Sequence, residues 1–444
     1  MPNLDLEGIV ARAEALGASE AEVYFKRLRT ITVRFTDRLE SVTVNSTSGY
    51  GVRVAVGRRI AVVGVEDVAR ESLEDAVRSA VAIAKATPED EKWVSLPRSI
   101  SASSVEGCFC SKTASIGSDE AVEIALEAMH SVSEGSSISR PVRGGLEVAV
   151  LEAAIANSYS QPISRMETVT DLYVTAKAED PSGSVTFTRF KICRSIDELN
   201  ARSLGMEAGV EAPRFLGAKR MEEGVARIIL HPEVVCSMLE VMLSQPLSAE
   251  AVQKGRSPLT GKIGQVILSE KVTIVDEGAV GRWVRARSFD DEGVATRNNV
   301  LIDRGILKSF VYDTYTAFVE GRESTGNAWR GLSSIPRPSP NVLVLKPGDS
   351  TLNEMICEVR EGYYIVSTIG EWLSNPISGL MQATVTHAYR IRGGELAEPV
   401  KGSVITADFY EAFGRNLLMI GRDLTAFRSS VAPAVAMENV KVSG

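Results

Sequence analysis

The chain has 444 residues, of which 44% are apolar and 24% charged, and its 57 acidic against 49 basic side chains give a formal net charge of −8. This composition lies in the globular range, and the length predicts two or three domains. The basic residues form no run, which argues against a nucleic-acid backbone binder, and no stretch approaches the roughly eighteen apolar residues that cross a bilayer.

The opening segment MPNLDLEGIVARAEALG carries acids in a helical rhythm, unlike a targeting peptide, so a cytoplasmic location is the expectation. Five scattered cysteines (Cys108, Cys110, Cys193, Cys236, Cys357) suit a reducing compartment. Only three histidines exist, His130, His231 and His387, so most histidine-based zinc sites, triads and dyads are short of parts.

In chain order, the apolar positions Leu4, Leu6, Ile9, Val10, Ala13 and Leu16 predict a helix stopped by Gly17. Five strands follow, AEVYFKR, TITVRFTDR, ESVTVNS, GVRVAVG and RRIAVVGVE, with Asn45, Ser46 and Gly49 to Gly51 read as turn residues. Leu73 to Ala84 predict an amphipathic helix capped by Asp67. Residues 87–117, rich in serine, read as a connector, and a helical stripe follows over 119–130. A second set of strands (LEVAVLEAAIANS, METVTDLYVTAKAED, GSVTFTRFKICRS) is closed by a helix from Ile196 to about Gly209. Asn157-Ser158 loosely echo Asn45-Ser46, an echo that strand-rich sequence also produces by chance.

The pattern breaks between Pro213 and Gly224. The main boundary is placed there, giving an N-terminal mixed α/β domain over 1–220, with sub-blocks 1–90 and 118–212, and a β-rich domain over 221–444. Short strands with glycine turns dominate the second half, so the expected class is α+β with a large, mostly antiparallel twisted sheet.

Several motifs fail on inspection. GRSPLTGK (255–262) has five residues between its glycines where a phosphate loop has four, and Ile263 stands where a hydroxyl should bind Mg²⁺. Gly49, Gly51 and Gly57 precede strand instead of a helix N-terminus, so they are not a dinucleotide fingerprint. Asp276, Glu277, Asp290, Asp291 and Glu292 could bind metal or act as acid and base, but their neighbouring glycines favour structural turns. In ILHPEVVCSMLE (229–240), His231, Glu233 and Cys236 offer ligand-type atoms at a helix start, while proline followed by an acid also reads as an ordinary helix N-terminus.

The block PEVVCSMLEVMLSQPLSAEAVQKGRSPLTGKIGQVILSEKVTIVDEG resembles the TldD/PmbA family, once called modulators of DNA gyrase. The resemblance continues through SFDDEGVATRNNVLIDRGILKSFVYD, STGNAWR, PSPNVLVLKPGD and GGELAEPVKGSVITADFYEAF, and includes GASEAEVYF and NSTSGYGVRV near the start. The family's TldD branch carries a His-Glu-x-x-x-His helix and a C-terminal cysteine that hold a metal for peptide hydrolysis. Here Pro232 and Ser237 fall at the two histidine positions, Glu233 keeps the acid, His231 lies one position early, and Trp372 to Leu380 contains no cysteine. The resemblance therefore implies the TldE/PmbA branch, with no cofactor or catalytic residue of its own beyond the remnant Glu233. It further implies zinc in a TldD-like partner subunit and unfolded or extended peptides as substrates, and leaves open whether a homodimer forms when the partner is missing. Two alternatives remain: a divergent metallopeptidase using His231, Glu233 and Cys236, and a non-enzymatic gyrase-modulating binding protein.

Overall fold

The computed structural model describes residues 5–181 and 183–444, so Leu4 of the expected first helix lies outside the described residues. Helix α1 (Leu6–Ala15) begins where the Asp5 carboxylate accepts the Gly8 N–H at 2.9 Å. Strands β1 (Glu20–Phe35), β2 (Leu39–Val56) and β3 (Arg59–Val65) follow, then α2 (Arg70–Ala86). After the connector and its short α3 (Ser111–Ser115) come α4 (Ser118–Gly135), β4 (Ser139–Asn157), β5 (Ser160–Asp180), β6 (Gly183–Cys193) and α5 (Ala201–Glu211).

The six strands form one antiparallel sheet in the order β3-β2-β1-β4-β5-β6. Two units of helix, three strands and helix thus meet at the β1–β4 pair. The repeat lies in element order, because Asn45 sits inside β2 opposite Thr30 whereas Asn157 ends β4.

Side-chain parity assigns the two faces of this sheet, since successive residues of a strand point to opposite sides. On β1 the odd positions Val23, Phe25, Ile31, Val33 and Phe35 are buried in the clusters formed with α1, α2, α4 and α5. Each such side chain contributes about 1.5–3 kcal/mol on burial. The even positions Glu22 and Tyr24 point the other way, as do Arg53 of β2 and Arg165 and Glu167 of β5, and all bond to the C-terminal half or to each other.

Three local expectations are corrected. The segments AEVYFKR and TITVRFTDR are one strand, and so are ESVTVNS and GVRVAVG. Gly49 and Gly51 are therefore strand residues, whereas Gly57 does turn, with φ +62°. Gly51 is glycine because the Leu332 backbone lies against it: a Cβ there would sit 2.5 Å from the Leu332 carbonyl oxygen. Asp67 is not the cap of α2; it accepts the Ala69 N–H at 2.9 Å and the Ser72 hydroxyl at 2.6 Å, one step before the helix.

In the C-terminal half β7 (Gly224–Leu230) runs directly into α6 (Pro232–Leu243), followed by α7 (Ala249–Gln253), β8 (Ile274–Glu277), β9 (Asn298–Asp303), β10 (Ile306–Leu307) and α8 (Thr314–Val319). Then come β11 (Ala328–Trp329), β12 (Arg337–Pro338), β13 (Leu343–Leu345), α9 (Leu352–Val359), β14 (Gly362–Ile369), β15 (Leu380–Arg392), β16 (Glu395–Val400) and β17 (Val404–Asp408). The last elements are α10 (Phe409–Ala412), β18 (Leu417–Ile420), β19 (Thr425–Phe427), β20 (Ser430–Ala432) and β21 (Val435–Ser443).

Strands β14, β7, β21, β17 and β15 pair in that order, and β15 pairs back onto β14, which closes a barrel. A second sheet runs β10-β9-β8-β13-β20-β19. Pairing is mostly antiparallel, with β7–β14 and β13–β20 as parallel exceptions, so the α+β class read from the sequence holds. Helix α6 packs into the C-terminal core through Val234, Val235, Cys236, Met238, Leu239, Met242 and Leu243.

Replacing Gly51 with alanine forces its Cβ onto the 332 backbone. The variant should lose about 1–3 kcal/mol of stability in urea unfolding, as overpacking does elsewhere.

Candidate functional site

The start of α6 holds the residues singled out in the sequence. His231 is the N-cap: its Nδ1 accepts the Glu233 N–H at 3.3 Å, which occupies the acceptor lone pair of the neutral ring with the helix's own backbone. Burial, aided by the Arg189 guanidinium, pushes the imidazole down to about 4, so the ring is neutral at pH 7. Burial also raises the Glu233 carboxyl above its usual range, opposed by Arg189. Cys236 is fully buried, its thiol donates to the Thr425 carbonyl at 3.6 Å, and burial pushes its ionisation far up.

A zinc site needs deprotonated thiolate or free imidazole lone pairs converging on one point. Among the described residues no three His, Cys, Asp or Glu side chains converge in that way, so His231, Glu233 and Cys236 share a helix end without forming a ligand set. Pro232 offers no lone pair, and Ser237 is a poor zinc ligand. The residues present at α6 do not fit the metal. In the segment expected to carry the family's cysteine, Trp372, Leu373 and Ile377 are instead exposed apolar side chains.

The acid clusters have structural partners. Asp276 accepts the backbone N–H groups of Asn341 and Val342 at 2.8 Å each and the Asn327 and Asn341 amides at 2.6 and 3.3 Å. Asp290 accepts the N–H groups of Glu292, Val294 and Ala328, while burial and the Glu292 charge push it up to about 7. Asp291 receives Tyr24, Arg165 and Arg287 on one oxygen and the Arg330 N–H on the other. Against the burial that opposes it, Arg287 first and then Arg165 hold this carboxyl well below the usual range.

The arginines that complete this cluster escaped the sequence reading. Arg53 bonds Glu22 and Glu292 at 2.8 Å each, Arg330 pairs with Glu22 at 2.6 Å, and Arg165 pairs with Glu167 and Asp291 at 2.8 and 2.9 Å. A signal did exist, since Glu22 and Arg53 interrupt the otherwise apolar runs AEVYF and GVRVAV. His387 also joins the two halves. Its Nε2 donates to the Thr186 carbonyl at 2.7 Å, its Nδ1 receives the Ser367 hydroxyl at 2.6 Å, and it packs edge-on against Phe187 and Phe215.

Comparison with known proteins identifies the scaffold. Residues 223–444 match the family model described as PmbA/TldA metallopeptidase C-terminal domain, and residues 21–84 match PmbA/TldA metallopeptidase domain 1. The fold and the β7–α6 junction are thus those of a class of metallopeptidase-related proteins, and the chain belongs to the PmbA/TldD family. An uncharacterised protein of Methanocaldococcus jannaschii is 26% identical over 416 residues, covering 92% of this chain and 93% of the relative. A metalloprotease of Methanothermobacter thermautotrophicus is 31% identical over 277 residues, 61% of this chain and 60% of the relative. The crystal structure of TldE from Thermococcus kodakarensis superposes with a TM-score of 0.91 at 24% identity, covering 99% of each chain, which shows the shared fold.

Two measurements probe these contacts. Asp291→Ala leaves Arg165 and Arg287 short of an anion in a dry seam and should cost about 3–5 kcal/mol in chemical unfolding. His387 is depressed to about 4 by burial, so its neutral form contributes stability that is full above the unfolded value of 6.5 and is lost as pH falls toward 4. Between pH 7 and 4 the parent protein should therefore lose up to about 3 kcal/mol more than His387→Gln, a difference that cancels the titration of other groups.

Proposed function

We propose that this chain is the TldE-like subunit of a heteromeric peptidase, in which a TldD-like partner holds zinc and the assembly hydrolyses unfolded or extended peptides. The observation that carries the reading is the occupation of the α6 start: Pro232 and Ser237 stand at the positions of the metal-binding histidines, and His231 spends its Nδ1 lone pair on capping the helix. In this reading the chain supplies walls and docking surface while the bond-breaking chemistry belongs to the partner. The peptidase role is supported by the family of the chain and by relatives named as metalloproteases.

The preference for extended peptides has a physical counterpart in the N-terminal sheet. Strand β3 pairs with β2 only from Tyr50 to Val56, so among the described residues Leu39 to Gly49 of β2 pair with β1 on one side and with no strand on the other. Such an edge accepts a peptide through backbone hydrogen bonds without reading its side chains. In register with the buried Ile31 and Val33, Val44 and Val42 extend the apolar face into solvent. Among the described residues no helix is long and apolar enough to cross a membrane, and we place the assembly in the cytoplasm on cysteine usage.

Metal analysis and peptide cleavage with and without the partner test the assignment. The purified chain should hold substoichiometric zinc and leave unfolded peptides intact, and the mixture should cleave them in a chelator-sensitive way. Chelator-sensitive cleavage by the lone chain, abolished in the double variant His231→Ala, Cys236→Ala, would replace this reading with that of an independent metallopeptidase.

A further inference from the structure

A cavity of about 300 Å³ opens at the seam between the N-terminal sheet and the C-terminal half, and none of its lining residues belongs to α6. Arg53, Ile60 and Trp93 line it from one side, and Lys254, Asp313 and Tyr315 from the other. Its volume falls at the lower end of the roughly 300–1,000 Å³ typical of small-molecule sites, which often lie between domains.

Asp313 defines the chemistry of its inner end. The residue is 2% exposed, and its Oδ1 caps α8 by accepting the Thr316 N–H at 2.8 Å and hydroxyl at 2.6 Å. Among the described residues its Oδ2 has no donor. Arg53 favours the Asp313 anion through its charge but makes no hydrogen bond to it, since its two terminal nitrogens go to Glu22 and Glu292 at 2.8 Å each. Burial and the Glu292 charge push the Asp313 carboxyl up to about 7, against the Thr316 hydrogen bonds and the Arg53 charge.

The rim has the opposite character. Lys92 is exposed and without an acid partner among the described residues, while Lys254 and Arg337 share the single carboxylate of Glu250 at 2.6 and 3.8 Å. Asp90 accepts the Tyr315 hydroxyl at 2.9 Å. Between the two ends the wall is apolar and aromatic, built from Ile60, Trp93, Tyr315 and Pro336.

We propose that this cavity binds a small zwitterion of the free amino acid or dipeptide class, with its ammonium group on the Asp313 carboxylate, an apolar side chain against Trp93 and Tyr315, and its carboxylate beside Lys92. A ligand of this kind supplies a hydrogen-bonding cation to the inner carboxylate and an anion to the unpaired Lys92, and its apolar part shields both from water. The site is independent of the peptidase reading, since recognition rests on the two ends of the ligand alone.

Calorimetric titration of the full chain with L-leucine, L-leucylglycine, N-acetyl-leucine and leucinamide tests the assignment. Leucine or leucylglycine should bind saturably in the millimolar range or tighter, and N-acetyl-leucine, which lacks the ammonium, should bind about tenfold more weakly or not at all. Asp313→Asn keeps an oxygen to cap α8 and should weaken zwitterion binding by about tenfold or more. Lys92→Ala, on the exposed rim, should weaken leucine severalfold and leave leucinamide unchanged. Absence of saturable binding for both zwitterions overturns the proposal, as does undiminished binding by folded Asp313→Asn. If that variant does not fold, an unchanged leucine-to-leucinamide ratio in Lys92→Ala overturns it instead.

Discussion

The structure depends on a dry seam of ion pairs between the N-terminal sheet and the loops at 287–292 and 328–330. Moving a charge out of water costs several kcal/mol, and the cost is met only where geometry and additional hydrogen bonds are good. Here Glu22, Asp291 and Glu292 face Arg53, Arg165, Arg287 and Arg330, with side chains at most 5% exposed. The arrangement also fixes strand register. Glu22 lies opposite Arg53 across β1 and β2, so a slip of one residue would carry one charge onto the helix-covered face and leave the other unpaired. The ion pairs thus specify one alignment of a sheet whose apolar alternation alone permits neighbouring ones.

Much of the architecture was legible from period alone. The 3.6-residue rhythm of Leu73, Ala76, Val77, Ala80, Val81 and Ala84 is the buried stripe of α2, and the break between Pro213 and Gly224 falls between α5 and the start of β7. The glycines at 49 and 51 misled because glycine has two physical uses. Local sequence cannot distinguish a backbone that must turn from one that must let another chain segment approach, and at Gly51 the approaching segment is 281 residues away at Leu332. The site was partly legible for the same kind of reason. His231, Glu233 and Cys236 are local and could be named, whereas the partners of Asp291 other than the nearby Arg287 come from β1, β5 and the chain at Arg330 and are assembled only by the fold.

The α6 start is held by packing and capping. The helix is held by seven buried side chains between Val234 and Leu243, and its first turn is closed by Pro232 and the His231 cap, none of which depends on an ion. Pro232, Glu233 and Ser237 in the first two turns lie outside that buried set, so their identity is not fixed by the packing interface.

The same seam accounts for the cavity beside it. Arg53 bonds Glu22 and Glu292 in joining the two halves, and it acts on Asp313 through its charge without a hydrogen bond. In a fully packed seam that carboxylate would be a defect, since an unpaired buried acid costs free energy without adding cohesion. It persists beside a cavity with aromatic walls and a cationic rim, where an incoming ammonium can complete it. Cohesion of the halves and recognition of a ligand then meet at Arg53, which bonds Glu22 and Glu292 and leaves Asp313 without a hydrogen-bonded cation.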